Sequence, residues 1–206
     1  MRRRDFTLSL LATGTALPAL AQRVAPKEGA EYLRLGKPVP VEAPAGKVEV
    51  VEFFAYSCIH CFNFEPLLQD WEKRRPEGAV LRRVPVAFSP AFVPMQRLYY
   101  TLESMNLVER LHAEVFKAIH VERLPLTTPA PITDWVVKQG VDRAKFSEIF
   151  NHADTQKKAE RAAALQDAYG VEGTPALGVA GRYYIPGQGP KTLTIANWLI
   201  MEARKG

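Results

Sequence analysis

Both cysteines of this 206-residue chain, Cys58 and Cys61, stand in the stretch YSCIHCFNFEP, three positions apart. A pair so close can staple the chain, supply half of a metal site or act as a redox reagent, and the three roles have different requirements. As a staple the pair is weak, because the stabilisation a disulfide gives by restricting the unfolded chain grows with the loop it closes. As zinc ligands the two need two further partners. His60 is turned away from a Cys58/Cys61 centre by about 200° of helix rotation, no second CxxC occurs, and His112, His120 and His152 form no HxxxH pair. No metal or cofactor is therefore expected. As a reagent the pair needs a place that favours negative charge, since the thiolate is the nucleophile in thiol-disulfide exchange.

The flanking residues predict such a place. KVEVVEFFAY, residues 47–56, is β-branched and aromatic, apolar on both alternating faces, and reads as a central buried strand. After it Phe62, Leu67, Leu68 and Trp71 recur at helical spacings, with Lys73, Arg74 and Arg75 at the end where cations suit a helix C-terminus. Cys58 then falls at a strand-to-helix junction, where unpaired N–H groups and the positive end of the helix dipole favour an anion. Cys61, one turn on, shares its face and is more covered, so Cys58 is expected to attack and Cys61 to resolve. His60 can donate a hydrogen bond or, if protonated, a charge to the thiolate; the plainer reading is an exposed helix residue. Parity sets Val48, Val50, Glu52 and Phe54 on one face of the strand, so Glu52 is expected in apolar surroundings under the cysteine helix. A carboxyl there is costly when ionised and can exchange a proton with Cys61; an end-of-strand Glu reaching solvent is the alternative.

Further on, AVLRRVPVAF (79–88) predicts a second strand, parallel to the first if the helix between is a crossover. From Pro90 to His152 no strand pattern occurs. Leu98, Leu102 and Met105, then Val108, Leu111, Val115 and Ile119, and later Phe146, Ile149 and Phe150 fall at helical spacings, with LPLTTPAP (124–131) as a loop. A helix over 154–169 ends at Gly170, a hairpin over 176–179 and 182–185 turns at Ala180-Gly181, and a last helix covers 192–203. The expected order is strand, helix, strand, then a helical block, then helix, hairpin and helix.

The N-terminus, MRRRDFTLSLLATGTALPALAQ, has a basic start, an apolar middle diluted by Thr, Ser, Gly and Pro, and the small-x-small exit Ala19-Leu20-Ala21. It reads as an export signal cleaved after Ala21, by the general secretory or the twin-arginine route, and as a poor permanent anchor. Export favours compartments where disulfides persist. Hydrophobic residues make up 47% and charged residues 24%, as in ordinary globular proteins. The net charge of +5 loses three arginines and one aspartate with the leader, leaving +3. With lysines and arginines scattered among acids, no nucleic-acid footprint is expected.

EFFAYSCIHCFNFEPLL, Glu52 to Leu68, resembles the active-site segment of the DsbA branch of the thioredoxin superfamily, and GVEGTPA, Gly170 to Ala176, resembles that branch's cis-proline loop. The resemblance covers nearly all the mature chain. It implies an α/β, thioredoxin-like fold with an inserted helical domain: a signal peptide over 1–21, thioredoxin-like parts over 22–88 and 154–206, and the insert over 89–153. It also implies a periplasmic dithiol oxidase that donates the Cys58/Cys61 disulfide to reduced or unfolded secreted proteins and is reoxidised by a membrane partner of the DsbB type. In that reading Ile59, Thr174 and Pro175 contact the substrate. The rarity of cis bonds alone would make the peptide before Pro175 trans; the resemblance implies cis. Two residues depart from the pattern of the best-known members: Ile59 replaces a proline, and Thr174 replaces a valine. Isomerases of the superfamily usually add an N-terminal dimerisation domain, for which residues 22–46 are too few; a monomer is expected. A reductase or isomerase, or a non-catalytic peptide-binding module with an inert bridge, remains the alternative.

Overall fold

The computed structural model describes residues 25–205; the export signal and its cleavage site lie outside them. The strand over the cysteine approach is β2 (Val48–Phe54), preceded by a two-residue β1 (Leu33–Arg34), and all seven β2 residues are buried. A sheet ordered β1-β5-β4-β2-β3 is completed by β3 (Ala79–Pro85), β4 (Ala176–Val179) and β5 (Tyr183–Pro186). The β2–β3 pair is parallel, joined by the crossover helix α1 (Ile59–Arg74), while β4 pairs antiparallel with both β2 and β5.

Alternation along β2 divides the core. Val48 and Val50 pack with Phe64, Leu68 and Trp71 of α1 and with Ile195, Leu199 and Ile200 of the last helix, α7 (Pro190–Ala203). Val51 and Phe53 belong to the opposite cluster, with Ala159 and Tyr169 of α6 (Ala153–Tyr169) and the inserted helices. These are α2 (Val93–Ser104), α3 (Val108–His120), α4 (Pro129–Lys138) and α5 (Arg143–Asn151). The result is the α/β arrangement with a helical insertion that the element order predicts.

Three local differences have simple causes. The expected loop over 124–131 gives way to helix at Pro129, because the first N–H groups of a helix have no intrahelical partner and prolines there sacrifice nothing. For the same reason α7 starts at Pro190, two residues early. The strand β1 carries no pattern of its own; its two residues are recruited by antiparallel pairing with Tyr183 and Tyr184.

Candidate active site

Cys58 is the N-cap of α1. Its backbone is extended (φ −87°, ψ 114°), and its sulfur accepts from the Cys61 N–H at 3.4 Å, as a serine or aspartate oxygen would at a helix start. Cys61 has no exposed surface and Cys58 is half-buried; both are free thiols. The hydrogen bond from Cys61, aided by the backbone N–H groups of Cys61 and His60, outweighs desolvation and brings the Cys58 pKa from 9.0 down to about 5. Burial pushes the Cys61 thiol far up, and the neighbouring Cys58 adds to it. One CxxC thus holds a thiolate at its outer sulfur and a firmly protonated thiol at its inner one.

The loop from Gly170 to Pro175 faces this pair. Gly170 caps α6 in the left-handed region (φ 62°), turning the chain toward β4. The Thr174–Pro175 peptide is cis, and the Thr174 carbonyl oxygen lies 3.3 Å from Cys58 Sγ, where it accepts from the protonated thiol. Gly187 of the neighbouring strand end lets the loop sit close, since a Cβ there would collide with the Pro175 carbonyl oxygen. Gly187→Ala is expected to cost about 1–3 kcal/mol by overpacking and to slow exchange at Cys58 by displacing Pro175; a urea melt and a thiol-exchange rate would check both. Ile59 is 44% exposed beside the thiol. The His60 side chain is exposed and lines a groove with Leu67, Thr174 and Pro175, so what reaches Cys58 from His60 is its backbone N–H.

Glu52 is 1% exposed, and its surroundings are not simply apolar. Arg83, its partner in the β2–β3 register, places Nε 3.3 Å from the carboxylate. The same guanidinium meets Glu65 and Glu72 of α1, each at 3.3 Å. Desolvation, followed by the charge of Glu65, raises the Glu52 pKa to about 8 against the pull of Arg83. Glu65 is desolvated too, but the His112 imidazole 3.4 Å away, the charge of Arg83 and a hydrogen bond from Gln69 bring it below the usual carboxylate value. Among the described residues the polar contact of Glu52 is to Arg83, not to Cys61.

Arg83 and His112 carry signals that a reading for chemistry passes over. Arg83 is one of two arginines inside β3, and His112 lies on the helical stripe of Val108 and Val115. The parallel register and the packing of α3 on α1 bring them to Glu52 and Glu65.

Comparison with known proteins is consistent along the chain. A family model described as a DSBA-like thioredoxin domain matches residues 49–194. The thiol:disulfide interchange protein DsbA of Bordetella parapertussis is 39% identical over 211 residues, covering all of both chains. The protein of the same name from Pseudomonas aeruginosa is 36% identical over 200 residues, spanning 95% of this chain and 94% of its own. The crystal structure of Pseudomonas aeruginosa DsbA superposes with a TM-score of 0.82 at 37% identity, covering 87% of this chain and 95% of that one. Oxidoreductase DsbA from Xylella fastidiosa gives a TM-score of 0.81 at 31% identity, covering 88% and 99%.

Proposed function

This chain belongs to the DSBA-like thioredoxin family, and from that premise we propose that it is a thiol:disulfide oxidoreductase working as a dithiol oxidase. The observation that carries this reading is the opposed pair of thiols: Cys58 half-buried with its pKa brought down to about 5, Cys61 buried with its pKa raised. In the oxidised enzyme a client thiolate attacks Cys58 Sγ, the Cys58–Cys61 bond breaks, and a client–Cys58 mixed disulfide forms. A second client thiolate then attacks the client sulfur of that bond. Cys58 leaves as the stabilised thiolate, and the client carries the disulfide while the enzyme keeps both electrons. A leaving group of low pKa leaves faster, and holding the reduced form as thiolate makes the disulfide more oxidising.

Cys61 must take up a proton as it leaves and give it back on reoxidation. Glu52, protonated up to about pH 8, is the proposed donor and acceptor; the two do not touch, so the transfer needs a carrier such as a water molecule. Glu52→Gln is expected to slow the steps at Cys61 more than attack at Cys58, by about 10²-fold. Rapid-mixing measurement of mixed-disulfide formation and resolution would separate them, and equal slowing of both would remove Glu52 from the reaction.

In this reading Ile59, Thr174 and Pro175 hold the client chain beside Cys58, and His60 lines the same groove. The clients are reduced or unfolded secreted proteins, the compartment is the periplasm, a membrane reoxidase of the DsbB type restores the disulfide, and the enzyme acts as a monomer. The test is direct: oxidised enzyme mixed with a reduced, disulfide-containing secreted protein should transfer one disulfide per enzyme at neutral pH. Failure to transfer while the enzyme stays oxidised would favour an inert binding module.

A further inference from the structure

Helix α3 grips the segment before Cys58 through two histidines. His112 Nδ1 lies 2.8 Å from the Tyr56 hydroxyl, and His120 Nε2 lies 2.8 Å from the Tyr56 carbonyl oxygen. Chemistry fixes the protons of the first contact. The buried Tyr56 phenol keeps its proton, and among the described residues its O–H has no other acceptor than His112 Nδ1, while a bare Nε2 would face the Glu65 carboxylate lone pair to lone pair, so the O–H donates and Nδ1 accepts. The imidazole hydrogen is then on Nε2, 3.4 Å from Glu65 Oε2, a close electrostatic contact short of hydrogen-bond alignment. Glu65 Oε1 in turn meets Arg83, and Arg83 meets Glu52. A continuous chain of polar groups therefore runs from Tyr56, two residues before the nucleophile, to the buried acid on β2.

Glu52 and Glu65 share one guanidinium in a buried site, where two like charges resist ionising together. The carboxyl with more donors keeps the charge. Glu65 has Arg83, Gln69 and His112, whereas Glu52 has Arg83 alone among the described residues. We propose that His112 is a positioning residue for the exchange reaction, whose Nε2–H holds Glu65 ionised and thereby leaves the cluster's proton on Glu52. This deepens the dithiol-oxidase reading and rests on it, because it supplies the protonated Glu52 that the steps at Cys61 use.

The groups around the imidazole support the assignment. Tyr56 approaches from the segment after β2, Glu65 from α1 with Glu72 beyond it, Arg83 from β3 and Tyr99 from α2, while Glu109 of α3 lies at the rim of the same pocket. Phe54 and Phe116 close the ring in edge-on, and His112 is 3% exposed, so the imidazolium is disfavoured. Removing the Nε2–H should raise the proton affinity of Glu65; Arg83 then serves Glu52, and one proton moves between the carboxyls with no change in total charge.

The experiment is NMR titration of protein labelled at the histidine nitrogens and glutamate carboxyl carbons, in the unsubstituted chain, His112→Phe and His112→Gln. In the unsubstituted chain His112 should be neutral with hydrogen on Nε2, and Glu52 should titrate above Glu65. In His112→Phe the Glu65 midpoint should rise and the Glu52 midpoint fall, by about 1–3 pH units. In His112→Gln, whose amide can accept from Tyr56 and donate to Glu65, the original order should return. Hydrogen on Nδ1, or an unchanged order in a folded His112→Phe, would overturn the proposal. The tautomer is read on the unsubstituted chain, so it decides even if the phenylalanine variant does not fold. None of these readouts uses client oxidation, so their failure leaves the oxidase reading standing, and failed disulfide transfer sinks that reading separately.

Discussion

Cys58→Ser is expected to bring oxidation of reduced client proteins to the uncatalysed background, and Cys61→Ser, mixed with client that already carries its disulfide, to accumulate client covalently joined to Cys58 as the Cys58 thiolate attacks that disulfide and releases one client thiolate. The remaining thiol in Cys58→Ser has no exposed surface, and burial holds its pKa far above neutrality, so it can neither meet a client nor attack as thiolate. Serine cannot replace the lost nucleophile, because its hydroxyl stays protonated. In Cys61→Ser the half-buried Cys58 still reacts, since the backbone N–H groups that lower its pKa remain at the N-cap. What is lost is the Cys61 thiol one turn along, the intramolecular group expected to attack Cys58 Sγ and expel the client, so that release is left to the client's own thiols. Non-reducing electrophoresis of client mixtures would display both results. Adducts on Cys61 in the Cys58→Ser protein would reverse the two roles.

The second large effect is on the relative stability of the two redox forms. Closing a loop of four residues is worth roughly 2 kcal/mol by chain entropy. Opposing it is the Cys58 thiolate, which exists only in the reduced form. Its pKa falls from 9.0 to about 5 on folding, so its stabilisation is complete above about pH 9 and is lost as the pH falls through 5. Three of those four units are realised at pH 8, about 4 kcal/mol before allowance for a half-exposed site and about 3 kcal/mol after it. Cys61 stays protonated throughout this window, and the raised pKa of Glu52 acts in both forms and largely cancels from the difference. The reduced protein should therefore be the more stable by about 1 kcal/mol at pH 8 and the less stable at pH 5. Urea melts of both forms at the two pH values would show the reversal; a difference that ignores pH would contradict it.

Much of the fold could be read from residue types. The β-branched and aromatic run before the cysteines, the cationic end of the helix after them and the glycine at 170 mark a strand, a helix and a cap that the structure contains. The position of Cys58 at a helix start also follows from local pattern, because an N-cap needs only its own next turn. What lies across the chain was less legible. The sequence suggested apolar surroundings for Glu52 because parity along one strand says nothing of the neighbouring strand's register, which sets Arg83 opposite it. His112 and Tyr56 are 56 residues apart, and their hydrogen bond depends on how α3 packs against the cysteine helix. The His60 side chain illustrates the reverse: a residue type suited to the chemistry, placed toward the groove while its backbone faces the sulfur.

Equilibrium titration of the Cys58/Cys61 pair against glutathione at pH 7 tests the central claim, that the site favours the reduced form as a thiolate and so gives disulfides away. The account predicts a midpoint more positive than about −200 mV, so that the pair stands mostly reduced in a glutathione buffer of that poise. A midpoint more negative than about −200 mV, toward the values of reducing dithiols, would contradict it.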